Sequence, residues 1–303
     1  MLSRVAENMY WMSRYLERSN IHLRVLNSIY ISDQDGLVPV DWKEIANHFL
    51  LFGSGSNNGN EVLTQLIFDI QMDFSILNNI FKARENARSA QDHINRELWQ
   101  SLNDFHHLIK DDQLHAQMPV DPISVMDQLI KQTMLCDGII HNSMNRGEAF
   151  CFLQLGKLME RGLQIVDLLK YQLQLDSPAH KADEQQWRYL LIALNGYETY
   201  LQEHVGNLDP DLVFEQIMCK SNFPHSLYYS WEQISSFLKL MKKAEVGLDH
   251  PEMTFIVGKA LASIKYIELP HSQEERLSYL EEIQGHYINL NRILNNDYFG
   301  NIY

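Results

Sequence analysis

The sequence predicts an all-α protein, an elongated helical bundle of about ten helices. Only 14 Gly and 8 Pro are spread over the 303 residues, too few turn-forming residues for a β-sandwich or a barrel. Hydrophobic residues make up 45% of the chain, enough for a sizeable buried core. Apolar side chains recur every three or four positions along most of the chain, which is the period of a helix with one buried face.

The first helix is predicted over residues 2–30, and the polar and turn-forming segment 32–39 ends it. Its apolar side chains form one stripe: Leu2, Val5, Met9, Met12, Leu16 and Leu23. In the first half of the chain, further helices are predicted over residues 40–52, 61–70, 75–109 (one long helix or two stacked ones) and 121–144. In the second half they are predicted over residues 149–175, 185–205, 210–219, 224–245, 251–269 and 272–299.

A Glu-Arg dipeptide in the same local context occurs at two places about half the chain length apart. A basic residue stands three positions before the glutamate in each copy: Arg14, Glu17, Arg18 and Lys157, Glu160, Arg161. Each copy is followed at a similar distance by a tryptophan, Trp42 or Trp187, and then by the matching segments 68–76 and 219–227. Three features in the same order indicate an internal duplication, with a first half over 1–145 and a second over 146–303.

Charge and cysteine content exclude several classes of protein. A formal net charge of −14 argues against sequence-independent binding of nucleic acid and against binding to anionic membranes. The three cysteines are odd in number and widely spaced, so no disulfide framework is expected. The sequence shows no leader peptide and no apolar run long enough to cross a bilayer, and we therefore predict a cytoplasmic protein.

The first helix has an unusual polar face opposite its apolar stripe. On this face lie Arg4, Glu7, Asn8, Trp11, Arg14, Tyr15 and Arg18. Arginine beside tryptophan and tyrosine is typical of partly buried contacts with carboxylate or phosphate groups, whereas a solvated face more often carries Lys, Glu and Gln. We therefore expect this helix to be covered on two sides.

A second group of charged residues lies on the helix predicted over 75–109. It includes Arg84, Glu85, Asn86 and Arg88, and a ladder at i,i+4 spacing is predicted to continue through Asp92 and Arg96. Two explanations remain open for the clustered arginines. They form an interhelical packing network neutralised by Glu7, Glu17 and Glu85, or they line a pocket for an anionic group such as a carboxylate or phosphate.

No catalytic or cofactor motif is present, and we expect neither a metal nor a cofactor. Asp-x-x-His occurs at Asp104/His107 and at Asp112/His115, but the Glu-x-x-His pairs of di-metal bundles are missing. There is also no nucleophile elbow, no phosphate-binding loop and no dinucleotide fingerprint. If the protein is an enzyme in its own right, the candidates for its general acid or base are Glu17 and Glu160.

The segments 1–20, 84–103 and 149–162 resemble the bacterial Alpha-E family, an all-helical family with a Glu-Arg motif, and the resemblance covers nearly the whole chain as one Alpha-E unit. Two positions depart from the expected pattern. Ala149-Phe150 replaces Gly-Trp, and Pro224-His225-Ser226 replaces Pro-Arg-Ser, which argues against anion binding at position 225.

The resemblance implies a partner more than an activity. Alpha-E genes lie beside, or are fused to, those of a circularly permuted ATP-grasp protein, often together with a transglutaminase-like protein. ATP-grasp enzymes activate carboxylates as acyl phosphates and form amide bonds. The expectation is a companion that does not bind ATP and that uses its Arg-rich helical face to bind the ATP-grasp partner or a carboxylate-bearing substrate. The alternatives are an enzyme of peptide synthesis or modification and a purely structural protein-binding scaffold.

Overall fold

The computed structural model describes residues 1–49, 56–175, 184–204, 206, 208–243, 251–270 and 272–300. Within these residues there are fourteen α-helices and no strand, which confirms the predicted all-α class. The chain divides into two units. Residues 11–145 form the N-terminal unit, and residues 1–10 with residues 146–303 form the C-terminal unit.

The N-terminal unit is built from seven helices, of which the first belongs to it from Trp11 onward. The helices are α1 (Ser3–Asp35), α2 (Trp42–His48), α3 (Gly59–Phe68), α4 (Ile76–Ser89), α5 (Arg96–Leu108), α6 (Asp112–Gln117) and α7 (Pro122–Ser143). α4 packs against α5, and α5 packs against α7. The short helix α6 was not predicted from the sequence.

Side-chain caps set where the helices of the N-terminal unit begin. The side chain just before each of α2 to α7 accepts a hydrogen bond from the backbone of the first turn: Asp41, Asn58, Ser75, Asn95, Asp111 and Asp121. Each such cap stabilises its helix by about 1 kcal/mol. Asn95 accepts from the Leu98 amide at 2.8 Å and starts α5. For this reason the segment predicted over 75–109 contains two helices.

The C-terminal unit is organised around one long helix, α8. Its helices are α8 (Glu148–Leu175), α9 (Glu184–Ala193), α10 (Tyr197–Glu203), α11 (Pro210–Cys219), α12 (Leu227–Lys243), α13 (Pro251–Lys265) and α14 (Gln273–Ile293), and a π-helical segment spans Leu294–Phe299. α8 is buried over most of its length and packs against α12 and α14. None of the described helices is long and apolar enough to cross a membrane.

The helix predicted over 185–205 is divided into α9 and α10. Asn195 between them has a φ angle of 54°, a left-handed conformation that interrupts a helix, and Gly196 begins the next one. The predicted ends of three helices, at residues 50–52, 205 and 244–245, lie outside the described residues.

The helix before the first matching segment ends in a turn with a regular set of backbone hydrogen bonds. The Asp69 amide donates to the Gln65 carbonyl at 3.1 Å, the Met72 amide to the Asp69 carbonyl at 3.3 Å, and the Ser75 amide to the Met72 carbonyl at 3.0 Å. Asp69 has φ −71° and ψ 114°. The turn therefore closes α3 and positions Ser75 as the cap of α4.

The same turn recurs at the equivalent place in the C-terminal unit. The Lys220 amide donates to the Gln216 carbonyl at 3.4 Å, the Phe223 amide to the Lys220 carbonyl at 3.4 Å, and the Ser226 amide to the Phe223 carbonyl at 2.9 Å. Lys220 has φ −68° and ψ 116°. The helices that precede the two turns, α3 and α11, are both ten residues long. The two turns thus share their hydrogen-bond spacing, and the duplication of the halves stays a prediction.

Candidate functional site

Four residues of α1 and one of α4 form a group that we call the cation–aromatic cluster: Trp11, Arg14, Tyr15, Arg18 and Lys82. The Cζ atom of Arg14 lies 4.5 Å from the centre of the Trp11 ring, and the Trp11 and Tyr15 ring centres are 5.7 Å apart. The Tyr15 ring faces two cations, with Arg18 Cζ at 5.6 Å and Lys82 Nζ at 5.9 Å. Two aromatic rings thus hold three positive charges.

The spacing along α1 explains why these side chains meet. Trp11 and Tyr15 are one helical turn apart, and so are Arg14 and Arg18, which places all four on one face. The middle of the helix is covered on this face too, since Arg14 is only 6% exposed and Glu17 only 5%. A buried guanidinium group needs compensating contacts, and the Trp11 ring supplies one of them.

The next turn of α4 carries an ion-paired group. Arg84 donates from Nη1 to Glu85 Oε1 at 3.0 Å and from Nε to Asn103 Oδ1 at 2.7 Å. Arg88 Nη2 lies 2.6 Å from Glu85 Oε2, so both carboxylate oxygens are engaged and the three charged side chains keep one net positive charge. The side chain of Arg88 is 63% exposed. Arg88 is therefore well placed to meet an anionic group from solvent.

The predicted ladder does not continue past Arg88. α4 ends at Ser89, Asp92 lies in a short 3₁₀ turn, and Arg96 opens α5. The i,i+4 spacing holds only on a continuous helix, so Asp92 and Arg96 do not extend the ladder. Asn86 is half-buried on α4, and its backbone carbonyl accepts a hydrogen bond from the Ala90 amide at the end of the helix.

His106 on α5 lies near several of these charged residues, including Glu85, which opposes the lowering of its pKa. Burial lowers the pKa of His106, and the positive charges of Arg84, Lys110 and His107 lower it further. Its ring centre lies 6.2 Å from that of the exposed Phe81 on α4.

The remaining predicted residues of α1 lie in its first turns, within the C-terminal unit. Arg4 is exposed, whereas Glu7 and Asn8 are half-buried. The described contacts place the rest of the predicted α1 face, Trp11 to Arg18, in the N-terminal unit.

The second Glu-Arg pair is deeply buried in the C-terminal unit. Glu160 is 1% exposed, and its Oε1 accepts a hydrogen bond from Gln164 at 3.1 Å. Arg161 is 7% exposed and donates from Nη1 to the Pro224 carbonyl at 3.1 Å. The arginine thus ties α8 to the turn that precedes α12. A general acid or base must reach its substrate, so the burial of Glu160 disfavours a catalytic role in this conformation.

Position 225 has no exposed cation that could hold an anion. His225 is buried, and its ring centre lies 5.9 Å from that of Phe223. The neighbouring Ser226 caps α12 by accepting a hydrogen bond from the Tyr229 amide at 2.9 Å. This turn has a structural role.

Sequence reasoning missed three members of the site: Lys82, Trp99 and Asn103. Lys82 on α4 contacts Tyr15 on α1, and Asn103 on α5 accepts a hydrogen bond from Arg84 on α4. Contacts between helices leave no periodic signal in the sequence. The one available signal was the i,i+4 spacing of Trp99 and Asn103, which places both on the face of α5 that meets Arg84.

The three cysteines, Cys136, Cys151 and Cys219, are free thiols. Burial raises the pKa of each thiol to about 11. At neutral pH they are protonated and poor nucleophiles.

Comparison with known proteins identifies a family whose model matches this chain. The matching family model covers residues 1–299 and is described as a predicted alpha-helical domain with a conserved ER motif, named Alpha-E. Similar proteins include uncharacterized protein Mb2597 of Mycobacterium bovis and uncharacterized proteins MT2643 and Rv2567 of Mycobacterium tuberculosis. They are 24%, 24% and 23% identical over 275 residues, 82% of this chain and 31% of each relative.

The chain thus spans about a third of the length of these curated relatives. No solved structure matches it. The pairs Glu17-Arg18 on α1 and Glu160-Arg161 on α8 match the ER motif of that description. The chain belongs to the Alpha-E family.

Proposed function

We propose that this protein is the companion, itself without ATP binding, of an ATP-grasp amide ligase, and that the cation–aromatic cluster together with Arg88 binds the partner or a carboxylate-bearing substrate. The observation that carries the proposal is the concentration of cations on α1 and α4. Trp11 and Tyr15 hold Arg14, Arg18 and Lys82, in a chain whose net charge is −14.

The chemistry of these side chains suits a carboxylate. A guanidinium group presents two parallel N–H donors that match the two oxygens of a carboxylate. Arg88 is largely exposed, and Arg18 and Lys82 are half-buried beside Tyr15, which lowers the cost of ordering them on binding. The Arg84–Glu85–Arg88 group keeps one net positive charge, which the negative charge of an incoming carboxylate would neutralise.

The resemblance to the Alpha-E family supports the same proposal. The Alpha-E family is associated with circularly permuted ATP-grasp proteins, which act on carboxylates. The mycobacterial relatives are about three times as long as their matching region. We propose a circularly permuted ATP-grasp protein as the partner, with a transglutaminase-like protein as a further member of the system. The proposal places the protein in the cytoplasm, where a reducing environment suits three free cysteines.

Co-purification with the circularly permuted ATP-grasp neighbour tests the proposal. The tagged wild-type protein should retain the neighbour at micromolar concentration, and the double variant Arg18→Glu/Arg88→Glu should lose it. Lys43→Glu/Lys131→Glu is the matched control, since both lysines are exposed, on α2 and α7, and the double variant undergoes the same change of charge. If wild type fails to retain the neighbour, or if all three proteins retain it equally, the companion role through this surface is wrong.

A further inference from the structure

A cleft of about 830 Å³ opens between α12 and α13 in the C-terminal unit. Its size is within the range of ligand-binding pockets, roughly 300–1,000 Å³. Met253 and Val257 of α13 are buried and line it, and Leu261 adds a third apolar side chain. The cleft thus combines an apolar lining with access to solvent. None of its residues belongs to the cation–aromatic cluster or to the Glu-Arg pairs.

A glycine in the middle of α13 keeps the cleft open. Gly258 lines the cleft, and a Cβ atom at this position would meet no atom within 4 Å. Its φ angle is not in the left-handed region. Glycine destabilises the interior of a helix relative to alanine, and at this position neither a close neighbour nor the backbone conformation requires it. Close approach of another molecule to the helix backbone would give the glycine a role.

The charged residues of the cleft are mainly cationic. Lys239 of α12 and Lys265 of α13 are both exposed and line the cleft, and Glu232 is the one carboxylate in the described lining. Neither lysine has an ion-pair partner in the described part of the chain. Because only residues 244–250 join α12 to α13, the helices are expected to pack antiparallel. Each lysine lies near the C-terminal end of its helix, so the two ammonium groups flank opposite ends of the cleft.

Neutral polar groups lie between the two lysines. Gln233 and Ser235 of α12 line the cleft, and their amide and hydroxyl groups can both donate to and accept from a peptide backbone. We propose that the cleft between α12 and α13 binds an acidic peptide segment. The apolar side chains of the peptide lie on Met253 and Val257, and its backbone amides contact Gln233 and Ser235. The carboxylates of the peptide pair with Lys239 and Lys265. This site goes beyond the proposed companion role and does not depend on it.

Three fluorescein-labelled peptides of equal length test the inference by fluorescence anisotropy. One alternates Leu with Glu, one Leu with Gln, and one Leu with Lys. The Leu/Glu peptide should bind the full-length protein at least tenfold more tightly than the Leu/Gln peptide, and added salt should weaken it. Failure of the Leu/Glu peptide to bind, or equal binding of the Leu/Glu and Leu/Gln peptides, would overturn the proposal. So would displacement of the Leu/Glu peptide by an oligonucleotide at a lower concentration than by unlabelled peptide.

Matched variants place the binding at the cleft. Gly258→Leu fills the open space and should weaken the Leu/Glu peptide at least tenfold, while the melting temperature stays at or above that of wild type. Gly138→Leu on α7 is its control, because a Cβ there also meets nothing within 4 Å. Lys239→Glu/Lys265→Glu should abolish the preference for the acidic peptide, and Lys43→Glu/Lys131→Glu, with the same change of charge at exposed positions elsewhere, should keep it. Unchanged binding in the folded Gly258→Leu protein would refute the site.

Discussion

Replacement of Gly156 by alanine should break the contact between the first turns of α1 and the helix α8 inside the C-terminal unit. An ideal Cβ atom at this position lies 2.1 Å from the carbonyl oxygen of Tyr10 and 3.2 Å from its Cα atom. The obstacle is backbone, which cannot rotate away. Gly156 lies one helical turn before Glu160 on α8. The same contact therefore determines where the second Glu-Arg pair lies along the axis of α1.

The expected cost follows from the geometry. A carbon–oxygen contact needs about 1 Å more than this, so α1 and α8 must separate by roughly that distance. Overpacking of a core costs about 1–3 kcal/mol. Moving Tyr10 also strains its hydroxyl hydrogen bond to Asn291 Oδ1, at 2.8 Å, which is worth about 1 kcal/mol. Alanine regains about 1 kcal/mol of helix propensity. The last two terms cancel, and the free energy of unfolding should therefore fall by about 1–3 kcal/mol.

Urea unfolding followed by circular dichroism at 222 nm measures this change. Gly138→Ala is the matched control, since a Cβ atom there meets nothing within 4 Å, and it should raise stability by up to about 1 kcal/mol. If Gly156→Ala is as stable as Gly138→Ala, the backbones of α1 and α8 are not in contact and the reasoning fails.

Three other predictions follow from buried groups. Burial and Lys259 lower the pKa of His286 below its ordinary value, so the unfolded chain binds more protons below about pH 6.5, and stability should fall as the pH drops from 7 to 5. His286→Asn should make the melting temperature less dependent on pH over that range, whereas the exposed His107→Asn should leave this dependence as in wild type. The same pH dependence in both variants would contradict the reasoning. Gly162→Ala places a Cβ 2.0 Å from the Tyr287 hydroxyl and should cost about 2 kcal/mol or more, partly restored by Tyr287→Leu. If the changes in free energy of unfolding of the two single variants add up in the double variant, as measured by urea unfolding, the clash is refuted. The three thiols, each with a pKa of about 11, should resist iodoacetamide at pH 8 until the protein unfolds. Rapid alkylation of the native protein, detected by mass spectrometry, would show that they are accessible.

The sequence predicts the α1 residues of the cation–aromatic cluster but not Lys82 on α4. Helical period alone places Trp11, Arg14, Tyr15 and Arg18 on one face, and the structure brings them into contact. The contribution of Lys82 depends on how α4 lies against α1, which is tertiary packing and has no local signal.

The arginine ladder shows where local reasoning fails. Residues 89–95 are compatible with a helix by propensity, and a continuous helix would align Arg88 with Asp92. The cap at Asn95 and the turn that precedes it stop α4 at Ser89 instead. An asparagine three residues before a leucine is a weak signal in isolation, and it becomes decisive only when the packing of α5 on α4 supports a break. The turn after α3 was better determined, because its serine cap recurs after α11.

The central claim is that the cations on α1 and α4 bind an external group rather than hold helices together. The double variant Arg18→Ala/Arg88→Ala tests it most directly when affinity for the ATP-grasp partner and the urea unfolding midpoint are measured on the same preparation. We predict at least tenfold weaker binding with the free energy of unfolding lowered by no more than about 1–2 kcal/mol. Arg88 is largely exposed and its surface ion pair contributes little, whereas the half-buried Arg18 loses its contact with the Tyr15 ring. Unchanged affinity with a lowered midpoint would mean that these arginines form a packing network.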